Sequence, residues 1–399
     1  MGVSSVFASG PFDRDPDTRV AGRVLEAAMA AVEPAACVRR ALRVEASAIG
    51  AGPHRMELRT HARVWLLAVG KAAEAMMSAA VPELDSRLEG GLVVAKHLSG
   101  AAMDPRVKAI VGSHPVPDTR SLEAGKAVIE FVQRADDDDL VVVLLSGGAS
   151  SLMVAPVPGT SLQDIAAEGE ALLRSGAPIE RINAARMQRD RLKGGGLLRL
   201  AAPTRMLSLV LCDVVDAPLS VVGSGPTMPG PAVAIADNDT AVHAAMVAAK
   251  AEGWAVERWP PLRGAARLVG QQLAHRLRDT SVTEPTVFVS GGETTVTVRG
   301  NGRGGRNQEL ALAAALELDG LANRTLVTLA TDGEDGPTDA AGAVVHGATA
   351  STARTHGLDI AARLDDNDAY PVFERTGDLL RIGPTGTNVC DLVLGLARP

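Results

Sequence analysis

Six short apolar runs punctuate the chain: VWLLAV (64–69), GLVVA (91–95), LVVVLL (140–145), MLSLVL (206–211), TVFVS (286–290) and TLVTLA (325–330). Most are continuous rather than alternating, the pattern of strands covered on both faces of a parallel sheet. Between them stand stretches of helical period, KAAEAMMSAAVPEL (71–84), SLEAGKAVIEFVQRA (121–135), NDTAVHAAMVAAKAEG (238–253) and NQELALAAALEL (307–318). Strands alternating with helices predict an α/β fold. Pro260, Pro261 and Pro285 punctuate the stretch 254–285, so a second domain is expected after about residue 283.

Length supports that division, because 399 residues exceed the roughly 250 at which single cores stop growing. Forty basic residues against forty-seven acidic ones leave a net charge of −7, with no basic stripe able to neutralise a phosphate backbone. No nucleic-acid partner is expected. Aromatics make up only 2% of the chain, so the core must be built from Ala, Val and Leu. Cys37, Cys212 and Cys390 lack CxxC spacing, which argues against a disulfide framework or structural zinc site and fits a reducing, cytoplasmic setting. No charged segment followed by an apolar one opens the sequence, and no apolar run approaches about 18 residues, so neither export nor a membrane partner is expected.

In doubly wound sheets ligands bind beyond the carboxyl ends of the strands, so the residues closing each apolar run are the first candidates. Gly70 and Lys71 close VWLLAV; a lysine at a helix start opposes the helix dipole and, with the first-turn N–H groups, suits a phosphate. After LVVVLL, Ser146, Gly147, Gly148, Ser150 and Ser151 offer close backbone approach and hydroxyls for an anion nest. Cys212-Asp213 closes MLSLVL, and Ser290, Gly291, Gly292 and Glu293 close TVFV. TDGEDGPTDAAG (331–342) sets Asp332, Glu334, Asp335 and Asp339 on one loop, where they repel one another unless cations or donors are near. Magnesium carried with a nucleotide would serve. Each loop also has a structural reading: a solvated lysine, a serine helix cap, an acidic turn.

RGNGRGGRNQE (299–309) contains a literal GxGxxG at Gly300, Gly302 and Gly305. The preceding TTVTVR alternates in polarity, unlike the buried first strand of a dinucleotide fold, and no acidic residue follows at the expected distance. With Arg303 and Arg306, the segment is expected to be a mobile cationic loop that opens a helix and grips phosphoryl oxygens. The absence of GxxxxGK[ST], HRD and DFG excludes P-loop enzymes and protein kinases. In INAARMQRDRLKGGG (182–196), Arg186 suits a carboxylate, Asn183 and Lys193 are further candidates, and a basic helix ending at a glycine cap is the structural alternative. His114, in GSHPVPD, sits on a rigid loop able to aim it into a cleft. The run Asp136 to Asp139 predicts a solvated loop.

Together AVGKAAEAM, GSHPVPD, LLSGGASSL, the INxxR…LKGG tract, SGPT (224–227), SGGETTVTV, GRGGRNQE, TDGEDGPTDAAG and GPTGTN (383–388) resemble the class II glycerate 2-kinase family, whose C-terminal half is called the MOFRL domain. The resemblance runs from about residue 18 to the end. It implies a larger Rossmann-like αβα domain over 18–258, a smaller α/β MOFRL domain over 283–397, and a site in the cleft between them. It further implies an ATP-dependent, Mg2+-requiring transfer to the 2-hydroxyl of glycerate or a related small hydroxy acid. Lys71 and Arg306 carry over as the catalytic pair, with Asp213 or Asp332 holding magnesium or orienting the acceptor hydroxyl. Gly304, Gly305, Asn307, Asp335, Thr387 and Asn388 join the binding set. A homodimer is left open. Family members also carry the label hydroxypyruvate reductase, so an NAD(P)-dependent reductase and a non-catalytic acid-binding protein stand as alternatives. Three departures bear on the acceptor: Met187 to Asp190 replace Lys-His-Leu-Ser, Cys212 to Asp216 lack a glycine, and Cys390 replaces asparagine.

Overall fold

Each of the six apolar runs forms a strand in the computed structural model, which describes residues 6–174, 179–215 and 218–399. Four of them belong to a six-stranded sheet that also takes in Val107–Val111 and Ala232–Ala236, and every pairing in it is parallel. The order across this sheet is Val107–Val111, Leu88–Ala95, Val64–Val69, Leu140–Leu145, Arg205–Leu211, Ala232–Ala236. Numbered along the chain, that is 3-2-1-4-5-6, the doubly wound arrangement whose direction reverses between Val64–Val69 and Leu140–Leu145. Those two central strands are buried at every position, as continuous Val/Leu runs demand. Trp65 meets Phe131 edge-on at 5.5 Å and donates its indole N–H to Asp139 at 2.9 Å. Asp139 is therefore buried, and the acidic run before the fourth strand is not wholly the solvated loop expected.

A second sheet is mixed. Asp391–Ala397 lies antiparallel between Thr286–Thr295 and Arg324–Ala330, Gly342–His346 and Leu379–Leu380 continue the antiparallel side, and Ala255–Arg258 and Leu262–Ala265 run parallel to Thr286–Thr295. The parallel pairing expected for these runs does not hold there. The helix Arg306–Glu317 covers this sheet with alanines that are wholly buried, and Gly270 of Ala266–Asp279 lies directly against the Leu310 backbone. Small side chains let the two helices approach closely where large aromatics are scarce. A three-stranded antiparallel sheet, Leu42–Val44, Ala48–Ala51 and His54–Glu57, completes the strands described.

Contacts group Glu33–Asp237 and Gly386–Asn388 into one unit, and Met1–Val32, Asn238–Thr385 and Val389–Pro399 into another. Residues 18–32 and 238–258 thus fall with the C-terminal strands, whereas the sequence placed them with the larger domain. The helix Pro16–Ala31 packs along Asn238–Ala251, which in turn packs on Thr286–Thr295. Among the described residues no helix is long and apolar enough to cross a membrane.

Candidate active site

The switch point of the parallel sheet gathers the first two loops. Lys71 N donates to Gly147 O at 2.9 Å, and Ser146 Oγ accepts from Ala72 N at 3.1 Å. Gly70 has φ 133°, and a Cβ there would fall on Ser146 Oγ, so only glycine lets the two loops cross. The helix itself begins at Ala73, two residues after Lys71. The backbone N–H groups of Lys71 and Ala72 are thus used inside the fold and do not form the anion nest expected of them. The Lys71 side chain runs beside Gly148.

Around that side chain the loops converge. Gly148, with φ 85°, lies between His114 and Lys71: a Cβ there would stand 3.0 Å from His114 Cδ2 and 3.5 Å from Lys71 Cγ. Gly147 borders the Asp213 carboxylate, which a Cβ would overlap. The N–H groups of Gly147 and Gly148 have no acceptor among the described residues. One ammonium, one imidazole, one carboxylate and two free backbone donors are thereby brought to the carboxyl ends of three neighbouring strands and the GSHPVPD loop, where an open α/β sheet binds its ligand.

Beside this cluster, Ser150 Oγ and Ser224 Oγ are 2.9 Å apart, Ser224 donates to Asn183 Oδ1 at 2.8 Å, and Asn183 Nδ2 reaches Val221 O at 3.3 Å. Both ends of the Asn183 amide are committed to holding the Leu219–Ser224 turn, a scaffold role in place of the ligand role expected. Ser151 bonds back to Gly148 O at 3.2 Å. Lys193 is 1% exposed and donates to Met153 O at 2.7 Å; burial pulls its pKa below the ordinary lysine value, against the opposing charge of Asp190. Arg186 is half-buried, burial lowers its pKa, and it makes no hydrogen bond or ion pair among the described residues. Ser150, Ser151, Arg186, Asp190 and Lys193 line one pocket with Pro115, Val116 and Pro117. Asp216 lies outside the described residues.

In the other unit several expectations are corrected. Ser290 to Glu293 do not form a loop, because the strand continues from Thr286 to Thr295. Gly291 makes room for Asn238, and Gly292, at φ 145°, for the backbone of Leu262. The glycine-rich segment is anchored, with Arg299 N and Gly300 N donating to Asn367 Oδ1, Gly302 N to Asp366 O and Arg303 N to Asp368 Oδ1. Its glycines clear Asp366, Asp368 and Asp335, and a Cβ at Gly304 would stand 3.3 Å from Ala369 N. Arg303 lies 3.9 Å from the centre of the Tyr370 ring.

The start of Arg306–Glu317 already carries an anion. Asp335 accepts from Asn307 N at 3.0 Å and Gln308 N at 2.9 Å, and burial raises its pKa even so. A pyrophosphate would compete with this built-in carboxylate, so the GxGxxG is not a dinucleotide cradle. Asp339 accepts from Tyr370 at 2.6 Å and Arg381 at 3.1 Å, and the Tyr370 bond holds its pKa below the usual carboxylate range. Protein donors, rather than a metal, thus meet two of the four loop carboxylates. Among the described residues no three His, Cys, Asp or Glu side chains converge as a metal cage. Asp332 is half-buried and accepts from Glu334 N at 3.3 Å.

Arg306 is gripped bidentately by Asp391 and also pairs with Glu293. Burial works against its charge, but Asp391 outweighs burial and holds the guanidinium above its ordinary value. Asp391 is wholly buried; burial raises its pKa to about 6, with Arg306 pulling the other way. Thr387 is buried and Asn388 half-buried, and both group with the parallel-sheet unit. Sequence reasoning missed Asp391 and Asn238, and took Asp190 only as the last of four replaced residues bearing on the acceptor. A carboxylate opening an otherwise apolar strand, DLVLGLA, was the available signal for the first.

A doubly wound sheet with a lysine, a glycine nest and a carboxylate at its switch point defines a class of anion-handling α/β enzymes. Residues 20–254 match a domain of unknown function (DUF4147), and residues 286–391 match the MOFRL family. The chain is 35% identical to D-glycerate 2-kinase of Thermotoga maritima, over 84% of this chain and 90% of that protein. It is 32% identical to glycerate 2-kinase of Pyrococcus horikoshii, over 94% and 96%. The crystal structure of glycerate kinase from Thermotoga maritima superposes with a TM-score of 0.83 at 34% identity, covering 95% of this chain and 99% of that one. The chain belongs to the class II glycerate 2-kinase family.

Proposed function

We propose that the protein is an ATP-dependent phosphotransferase that phosphorylates the 2-hydroxyl of glycerate or a closely related small 2-hydroxy acid in the cytoplasm. The observation carrying this reading is the convergence of Lys71, His114, Asp213 and the Gly147-Gly148 backbone at the switch point. The Lys71 ammonium neutralises oxygens of the transferring group, and the two glycine N–H groups cradle it. Asp213 orients the acceptor hydroxyl or holds magnesium. A lone carboxylate suits an ion that keeps several waters and arrives with the nucleotide, which fits the lack of a closed cage among the described residues. Magnesium, when bound, would draw charge from the transferring phosphoryl group. Arg186 takes the carboxylate of the acid, and Arg306, oriented by Asp391, is the second cation of the reaction.

The test incubates the protein with ATP, magnesium and a panel of hydroxy acids while following phosphorylated product and nicotinamide absorbance together. Phosphorylated acid that disappears in a folded Lys71→Ala protein is the expected result. Nicotinamide turnover without phosphorylated product, or full activity in Lys71→Ala, would overturn the reading.

A further inference from the structure

In the pocket that Arg186 lines, Asp190 is 3% exposed and Lys193 1%. Asp190 Oδ1 is satisfied, accepting from Leu192 N at 2.8 Å and Ala155 N at 3.2 Å. Its Oδ2 has no hydrogen-bond donor among the described residues. Lys193 Nζ, already bonded to Met153 O, stands 3.7 Å from that oxygen. This is ion-pair range but beyond a hydrogen bond, so spare lysine protons face spare carboxylate lone pairs across a gap.

A buried acceptor without a donor keeps the cost of its lost hydration, and low dielectric sharpens that cost. A hydroxyl oxygen resolves it, donating to Oδ2 and accepting from Nζ. The 3.7 Å separation matches an oxygen bonded to both atoms at about 2.8 Å, once the side chains part enough to admit it. The same pocket holds the half-buried guanidinium of Arg186, which has no partner among the described residues. Glu170 lines the pocket as well, so its formal charges balance, and the demand for an anion comes from Arg186, which has no ion pair among the described residues. A ligand that satisfies all three groups carries a single carboxylate and a hydroxyl at a distance from it.

We propose that Asp190 and Lys193 recognise a non-reacting hydroxyl of the acceptor, so that the pocket selects a polyhydroxy monocarboxylate over the analogue lacking that hydroxyl. The inference rests on the kinase reading only for which hydroxyl reacts. Glycerate and lactate differ by this one group, and two measurements compare them: kcat/KM with ATP, and calorimetric binding to the nucleotide-free protein. In the wild type, lactate should lose about 100-fold or more in both, because a site built to bond a hydroxyl is left unpaired without it. Asp190→Asn keeps the shape and the Oδ1 acceptor but places a donor where Oδ2 stood, and the preference should shrink to within about tenfold. Comparable use of the two acids by the wild type, or an undiminished preference in Asp190→Asn, would overturn the proposal. Should neither acid be phosphorylated, the kinase reading fails and calorimetry still decides: glycerate bound in preference to lactate supports the pocket assignment, while equal binding or none by either refutes it.

Discussion

Arg306 holds Asp391 through Nε at 2.6 Å and Nη2 at 2.9 Å, although 85 residues separate them in sequence. Removing the arginine leaves a wholly buried carboxylate uncompensated. The cationic residue that sequence reading assigned to phosphoryl transfer is therefore a structural counterion, and a test of the proposed catalytic role must separate it from this one.

Arg306→Met should be destabilised by about 3–5 kcal/mol near neutral pH, as expected when one partner of a buried pair is removed. The pH dependence follows from Asp391, whose pKa is raised from 3.8 to about 6 in the folded protein. A carboxyl with a raised folded pKa contributes stability that is fully present below its unfolded value and is lost as pH rises through the folded value. Without Arg306 the folded pKa climbs further, so the variant should recover stability between neutral pH and about pH 5, as the buried acid takes up its proton. Urea unfolding across that range measures it. A variant equally unstable at both ends would show that Asp391 is not the cause.

Asp335→Ala should cost about 2 kcal/mol, because two N–H groups at the start of Arg306–Glu317 lose their cap. Its magnesium titration should match that of the wild type. A shifted magnesium requirement with unchanged melting would make Asp335 a metal ligand in place of a helix cap.

The central strands were legible because Val64–Val69 and Leu140–Leu145 are unbroken apolar runs, and Lys71, Gly147 and Asp213 because they close such runs. Strand order was not, since periodicity says which residues are buried but not which strands are neighbours. Val107–Val111 and Ala232–Ala236 escaped notice as the two outer strands, short and only partly covered. What the sequence hid in the C-terminal half has one origin. Arg306 and Asp335 read as ligand-facing charges because their partners lie 85 and 28 residues away, and a pattern read locally cannot supply a distant counterion. Lys193, followed by three glycines, reads as a binding candidate or as the basic end of a glycine-capped helix, yet tertiary packing buries it on Met153 O.

Gly147→Ala tests the switch point without removing any functional group. The added methyl would overlap the Asp213 carboxylate and push it from its place. Overpacking of this kind costs about 1–3 kcal/mol, and a displacement near 1 Å can lower turnover roughly 100-fold. Turnover should therefore fall far more than melting temperature. Unchanged turnover in a folded Gly147→Ala protein would remove Asp213 from the reaction.

Arg186 provides the sharpest separation of the acid from the nucleotide. Its guanidinium is half-buried and has no partner among the described residues, so burial acts on the charge without compensation and lowers its pKa. An uncompensated cation lining a pocket is relieved by an anion, and a planar carboxylate matches the guanidinium fork bidentately. Lysine keeps the charge but not the fork. Arg186→Lys should therefore raise KM for the acid by about tenfold or more while leaving KM for ATP and kcat near wild type, the pattern of a contact made equally in the ground and transition states. Inorganic anions should compete with the acid less effectively against the variant than against the wild type, because the same fork would bind them. A variant in which KM for ATP rises instead would move Arg186 to the nucleotide, and one in which kcat alone falls would place it on the transferring group.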